Sequence, residues 1–386
     1  YFGAIKTRVS AYMKDLDEEL WKLGILAKTK HNEVAPAQHE LAPIFTSTNV
    51  ASDQNQLVME TMKRVAAKHG LVCLLHEKPF AGINGSGKHN NWSMSTDTGL
   101  NLLDPGSTPA ENSQFITFLL AENEQFMVLL TAVIKAVNLH QDLLRLSVAS
   151  AGNDHRLGAN EAPPAIVSVF LGEELEAVIE ALEKDEKYSG KGKKIMKLGV
   201  DTLPDLPKDT TDRNRTSPFA FTGNKFEFRM VGSSFSLAGP NIVINTAVAD
   251  VLREFADQLE GAADFNAALH DLVADTIKEN KRIIFNGNNY SEEWAKEAKK
   301  RGLLNLKNSA EALPHFADKK NIELFERNGV FTAREVETRT EIMLENYSKV
   351  LTIEALTMLE MARRDIYPAV NAYIDSLCAT VRSKKK

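Results

Sequence analysis

Cysteine is almost missing from this chain. Cys73 and Cys378 are the only two in 386 residues, which excludes a disulfide framework and points to a reducing compartment, the cytoplasm. Long apolar runs are missing as well. The richest stretch, Phe126 to Ile134, is closed by Lys135, well short of the ~18 consecutive apolar residues that a membrane helix needs. Nor is there an excess of positive charge: 46 basic against 52 acidic residues give a formal charge of −6. That balance argues against a nucleic-acid binder working by phosphate neutralisation, but not against a protein that holds ATP. The chain opens at Tyr1 without a methionine or a signal-like segment and closes on Lys384-Lys385-Lys386, so it reads as an excised piece of something longer.

The length allows two or three units at roughly 150 residues each, and no internal repeat divides it. Residues 4–23 place Ile5, Val9, Tyr12, Met13, Leu16, Leu20 and Leu23 at helical spacing. From His31 to Phe45 apolar and polar residues alternate around Pro36 and Pro43, which predicts two short strands. A helix over 53–69 follows, then a buried strand Leu71–Leu75 and a glycine-rich turn. Thr108-Pro109-Ala110-Glu111 has the form of a helix start, with a helical pattern to about Leu146 and a break near 121–124. Residues 153–164 read as a loop, 165–171 as a strand, 173–183 as a helix and 185–215 as a long surface loop. Phe219–Val231 alternates again, and helices follow Pro240, the last over 332–378. The fold class is α/β (α+β): an antiparallel-rich curved sheet packed with helices and followed by a helical C-terminal region.

Several segments carry chemistry. Gly82-Ile83-Asn84-Gly85-Ser86-Gly87-Lys88 has the spacing of a phosphate-binding loop, but His89 stands where Ser or Thr is required and an extended pattern replaces the helix. The alternative is a strand with His89, Asn91, Ser93 and Ser95 on one face, either a site wall or a solvated edge. Glu33 and Glu40 are seven apart and would face opposite ways on one straight strand, so Pro36 must break the register if they share a metal. Glu227-Phe228-Arg229 puts a carboxylate and a guanidinium on one face, as a cation and carboxylate grip or as a plain ion pair. His155 to Glu161 lies where lids commonly sit. His31, His39 and the remaining histidines have no metal-ligand spacing and read as ordinary residues.

In this order the segments resemble the glutamine synthetase family, over residues 31 to about 240. The stretch from Glu33 to Glu40, the turn Lys78-Pro79 to His89, the Arg156-to-Glu161 flap, an Asn214-Arg215 segment and Glu227-Phe228-Arg229 carry it, and the Asn90-Asn91-Trp92 continuation and helical tail look most like the type III branch. The resemblance implies that 1–260 is the catalytic domain, truncated at its N-terminal side, and 261–386 its helical continuation. It implies Glu33 and Glu40 on one Mg²⁺ or Mn²⁺ ion, and His89 and Glu227 on another. Arg156 and Arg229 would grip glutamate, with Asn84 and Gly85 at its amino-acid end. Glu161 would be the flap acid, and Asn91, Ser93, Arg215 and Lys225 would face ATP. The implied reaction joins ammonia to glutamate through a γ-glutamyl phosphate in a ring-shaped homo-oligomer; a ligase for a larger amine and a non-catalytic scaffold stay open. The family's second arginine after Arg215 is replaced by Ala220, so Arg213 or Lys88 is a substitute cation. The paired glutamates of an upstream strand are also absent, so this chain alone is expected to make little glutamine.

Overall fold

A computed structural model describes residues 3–78, 80, 82–104, 124–159, 162–184, 195–196, 206–207, 212 and 217–384. The first amphipathic pattern forms α1 (Thr7–Trp21), which buries Met13, Leu16 and Leu20. It packs on α2 (Thr48–Lys68) through a small cluster with Ile25, Val58 and Val65. Between them β1 (Ala27–Asn32) and β2 (His39–Pro43) form an antiparallel hairpin.

A four-stranded sheet carries most of the remaining core. Its order is β3 (Lys88–Trp92), β8 (Phe226–Val231), β7 (Phe219–Phe221) and β4 (Val169–Phe170), antiparallel except for the β4–β7 pair. A separate two-residue pair, β5 (Ile195–Met196) with β6 (Leu206–Pro207), completes the strands among the described residues. The alternation read at 219–231 is real: Phe219, Phe226 and Phe228 are fully buried, and the Phe219 ring packs on both others. Against them lie α3 (Glu124–Leu139), α7 (Ala238–Leu259) and α8 (Phe265–Asn280), whose apolar faces join the same cluster. The other helices are α4 (Gln141–Leu146), α5 (Ala151–Arg156), α6 (Glu173–Glu183), α9 (Glu292–Lys300), α10 (Ser309–Ala312), α11 (Lys319–Arg327), α12 (Ala333–Met361) and α13 (Tyr367–Lys384).

Some expectations change. Leu71–Leu75 belongs to no strand among the described residues, and Val72 and Leu74 are 83% and 69% exposed; an apolar run is buried only where a second surface covers it. The loop expected at 153–164 begins as helix α5, because Ser150 caps it by accepting from the Asn153 amide. Six residues are too few for periodicity to reveal. The long helix before Leu146 breaks at His140, between α3 and α4; the proposed start at Thr108 and break near 121–124 lie outside the described residues, as does most of 185–215. The final helix starts in a capping box made by Thr332 and Glu335 and continues past Cys378 to Lys384 through one π-turn, Ala362–Ile366. Pro368 accounts for that turn, since its ring lacks an N–H and would clash with the carbonyl four residues back.

Candidate functional site

The β1–β2 hairpin solves the problem of the two glutamates as the sequence required, with Pro36 in the turn that separates the two strands. His31 pairs with Glu40 and Asn32 with His39, and the Glu33 amide donates to the Gln38 carbonyl at 2.8 Å. Cross-strand partners share a face, and so do residues two apart on one strand. His31, Glu33 and Glu40 therefore face one side, with Ala37 taking the left-handed turn conformation (φ 58°). His31 Nε2 lies 3.0 Å from Glu33 Oε1 and 3.0 Å from Glu40 Oε2, and ligand atoms of all three lie within 4.8 Å of one another. Glu33 is buried and Glu40 half-buried.

Gln38 ties this hairpin to the glycine-rich turn. Its side-chain amide donates to the Ser86 carbonyl at 3.0 Å and accepts from the Ser86 N–H at 3.2 Å, while Ser86 Oγ donates to Glu33 Oε2 at 3.1 Å. Lys78 Nζ donates to the Gly85 carbonyl at 2.7 Å. A Cβ at Gly85 would collide with the Glu77 carbonyl oxygen, and one at Gly87 would sit 2.7 Å from Arg156 Nε. Glycine is needed here for close approach.

Beyond the turn, β3 pairs with β8 so that Asn91 opposes Glu227, with a register shift between Lys88 and Asn90 that contains His89. His89 Nδ1 stands 3.9 Å from Glu227 Oε2. The same carboxylate oxygen accepts from Arg229 Nε and Nη2, each at 3.1 Å, and Arg229 Nη1 donates to Asp212 at 2.8 Å. The ion pair that the period-two spacing allowed is therefore present. Asn91 is exposed. Ser93 and Lys225 flank the Trp92–Phe226 pair; Ser93 Oγ donates to Asn101 Oδ1 at 2.6 Å and Lys225 Nζ to Asn224 Oδ1 at 3.3 Å. Asn84 is half-buried and Gly85 buried. Glu161, Arg213 and Arg215 lie outside the described residues.

Arg156 is behind this wall. It is 1% exposed, donates to the Arg229 carbonyl at 2.8 Å and to Asn153 Oδ1 at 3.3 Å, and pairs with Glu77 at 3.7 Å. Burial lowers its pKa and Glu77 opposes the shift. Lys88 also turns inward. Its Nζ donates to the Phe235 carbonyl at 2.6 Å and to Asn55 Oδ1 at 3.1 Å, so it does not serve a phosphate as a P-loop lysine would. Burial pushes its ammonium down to about 8, against the pull of Glu77. Between that value and ~10.4 for an unfolded lysine the folded chain releases a proton that the unfolded chain keeps, so this group's contribution to stability rises with pH. Lys88→Met is expected to flatten that rise, read as urea-unfolding free energies at pH 8 and pH 10; equal pH slopes in both proteins would contradict it.

Two family models cover the ends of the chain: the glutamine synthetase catalytic domain over residues 2–138 and the glutamine synthetase C-terminal domain over 268–385. A glutamine synthetase of Butyrivibrio fibrisolvens is 52% identical over 388 residues, covering 100% of this chain and 53% of its own. The chain belongs to the glutamine synthetase family. The type-3 glutamine synthetase of Dictyostelium discoideum is 48% identical, over 99% of this chain and 51% of that protein, so the chain spans about half the length of the curated relatives it matches. The solved GmaS/ADP complex, conformation 1, shares the fold with a TM-score of 0.52 at 17% identity, over 92% of this chain and 64% of that one.

Within this glutamine synthetase framework, four contributors escaped the sequence reading. His31 was set aside for lack of ligand spacing, yet cross-strand pairing puts it beside both glutamates. Gln38 lies within the Glu33–Glu40 stretch, where sequence reasoning assigned it no role, and its amide matches the backbone of Ser86, donor to acceptor and acceptor to donor. Glu77 and Asp212 balance the buried guanidiniums of Arg156 and Arg229. The two imidazole–carboxylate sets, His31 with Glu33 and Glu40 and His89 with Glu227, have the hard oxygen and single nitrogen donors that fit Mg²⁺ or Mn²⁺.

Proposed function

We propose that the full-length protein ligates ammonia to L-glutamate at the expense of ATP, with γ-glutamyl phosphate as the intermediate. The reading rests on the family and on one observation above all: Ser86 joins the Glu33–Glu40 hairpin to the turn that leads into His89, so both donor sets border the same glycine-rich segment. Glu33 and Glu40, with His31 adjoining, would hold one Mg²⁺ or Mn²⁺, and His89 with Glu227 another. Bound there, the cations would supply charge neutralisation for the phosphates.

The chemistry follows from the charges. A γ-carboxylate oxygen of glutamate attacks the γ-phosphorus of ATP and the bond to ADP breaks; ammonia then attacks the γ-carbonyl carbon and phosphate leaves. Arg229 supplies the fork for glutamate, with Asn84 and Gly85 at its amino-acid end. Arg156 acts from behind, through Gly87 and the Arg229 backbone. Asn91, Ser93, Arg215 and Lys225 serve the nucleotide. Glu161 takes the proton from ammonium and shields the acyl phosphate from water. Assembly as a ring-shaped homo-oligomer belongs to the same proposal.

The test uses the full-length enzyme with ATP, glutamate and either ammonium or a polyamine. Glutamine with ammonium is the expected product, and Glu161→Ala should lower glutamine relative to phosphate with ATP affinity retained. Turnover only with the polyamine would replace the acceptor in this reading. An equal fall in both products with weaker ATP binding would move Glu161 to the nucleotide.

A further inference from the structure

Helix α5 is too short to hold itself. Ala151–Arg156 is six residues, about half of what a free helix needs to persist in water, so its place is decided by what its faces meet. One face meets the candidate site. Asn153 Nδ2 donates to the Met230 carbonyl at 2.9 Å and Arg156 Nη2 to the Arg229 carbonyl at 2.8 Å, and the Arg156 guanidinium fills the space that a Cβ on Gly87 would take. Asp154 faces away from both: at about 100° per residue it stands roughly 160° round the helix from Arg156.

On that far side lies the C-terminal region. Asp154 Oδ2 accepts from the Ser309 amide and Oδ1 from the Ser309 hydroxyl, both at 2.8 Å, and the Tyr347 hydroxyl of α12 donates to the same carboxylate. Arg145 of α4, 1% exposed, donates to Asp154 Oδ1 at 3.1 Å and to the Leu306 carbonyl at 2.7 Å. Leu306, Ser309 and Tyr347 all fall in the stretch that matches the C-terminal family model. A carboxylate that only neutralised Arg145 would need neither the serine nor the tyrosine. We propose that Asp154 is a positioning residue for the ligase reaction: it fastens α5 to the C-terminal region and thereby sets where Arg156 stands, beneath Gly87 and behind Arg229. The proposal rests on the reading of this site as one for glutamate. Arg156 reaches the site through the glycine turn and the Arg229 backbone, so a slack α5 weakens the hold on glutamate and leaves the nucleotide alone.

The experiment uses the full-length enzyme with ATP, glutamate and ammonium. Ser309→Ala and Tyr347→Phe each remove one hydrogen bond to Asp154 and keep its pairing with Arg145. Both are expected to raise the glutamate KM about threefold, with kcat and the ATP KM within about twofold of wild type. Asp154→Asn, which keeps the shape but not the charge, is expected to raise it about tenfold. Hydrogen exchange of residues 151–159 should quicken in all three variants. An unchanged glutamate KM, even with a lower unfolding midpoint, would leave Asp154 a counter-ion for Arg145, and a joint rise of the glutamate and ATP KM would mean general damage; either result overturns the proposal. A wild-type enzyme that makes no glutamine would overturn the reading of the site and the proposal with it, whereas glutamine from wild type beside indifferent variants overturns the proposal alone.

Discussion

Arg229→Lys in the full-length enzyme is expected to cost at least ~2 kcal/mol in the use of glutamate, hence roughly tenfold or more in kcat/KM, with ATP affinity nearly unchanged. Arg229 is 4% exposed and shares its donors between Glu227 and Asp212. A lysine presents one point charge where a planar fork held two carboxylates, so one of the two is left buried beside too little positive charge. Steady-state kinetics with glutamate varied at saturating ATP make the measurement, with urea unfolding alongside. Lower stability with unchanged glutamate KM and kcat would make Arg229 a structural ion-pair partner and nothing more.

Gly85→Ala is expected to be the most damaging glycine-to-alanine change among the described residues. Its new methyl would meet the Glu77 backbone carbonyl, which cannot swing aside as a side-chain end can. Overpacking of this kind costs about 1–3 kcal/mol and sometimes more. The displaced turn would also disturb the Ser86 contacts with Gln38 and Glu33, so a lower unfolding midpoint should be joined by weaker Mn²⁺ binding in calorimetry. Gly223→Ala is a poor control, because its φ of 96° strains any side chain; Gly152→Ala, with nothing within 4 Å of the added carbon, is the suitable one. A Gly85→Ala protein as stable as Gly152→Ala, with metal binding intact, would contradict the assigned close approach.

How far the sequence could be read depended on whether a feature was local. Helix α6 matches its sequence expectation at both ends because Glu173–Glu183 contains its own periodicity. Phe226 to Arg229 was legible for the same reason: alternation fixes which side chains share a face. Val72 and Leu74 were misjudged because burial depends on a covering surface that no pattern within seven residues encodes. Helix α5 was read as loop because its signal is one serine hydroxyl on one amide. In the candidate site, motif alone pointed to Glu33, Glu40, His89, Glu227 and Arg229, while the grouping of His31 with two glutamates required knowing the hairpin register. Glu77 and Asp212 gave no sequence signal at all, since each meets its arginine only after distant segments pack.

The pairing of β3 with β8 also sets a schedule for synthesis. Strand β3 leaves the ribosome about 130 residues before the strand that completes its hydrogen bonds, a wait of roughly 7–26 s at about 5–20 residues per second. Throughout that interval the glycine turn is made and has no sheet beside it, and the aromatic side chains meant to bury its neighbour do not yet exist. Slowing translation between codons 93 and 226 would lengthen this exposed phase. Yield in a cell should then depend on how well chaperones shield a half-built sheet, even for a sequence whose finished fold is stable.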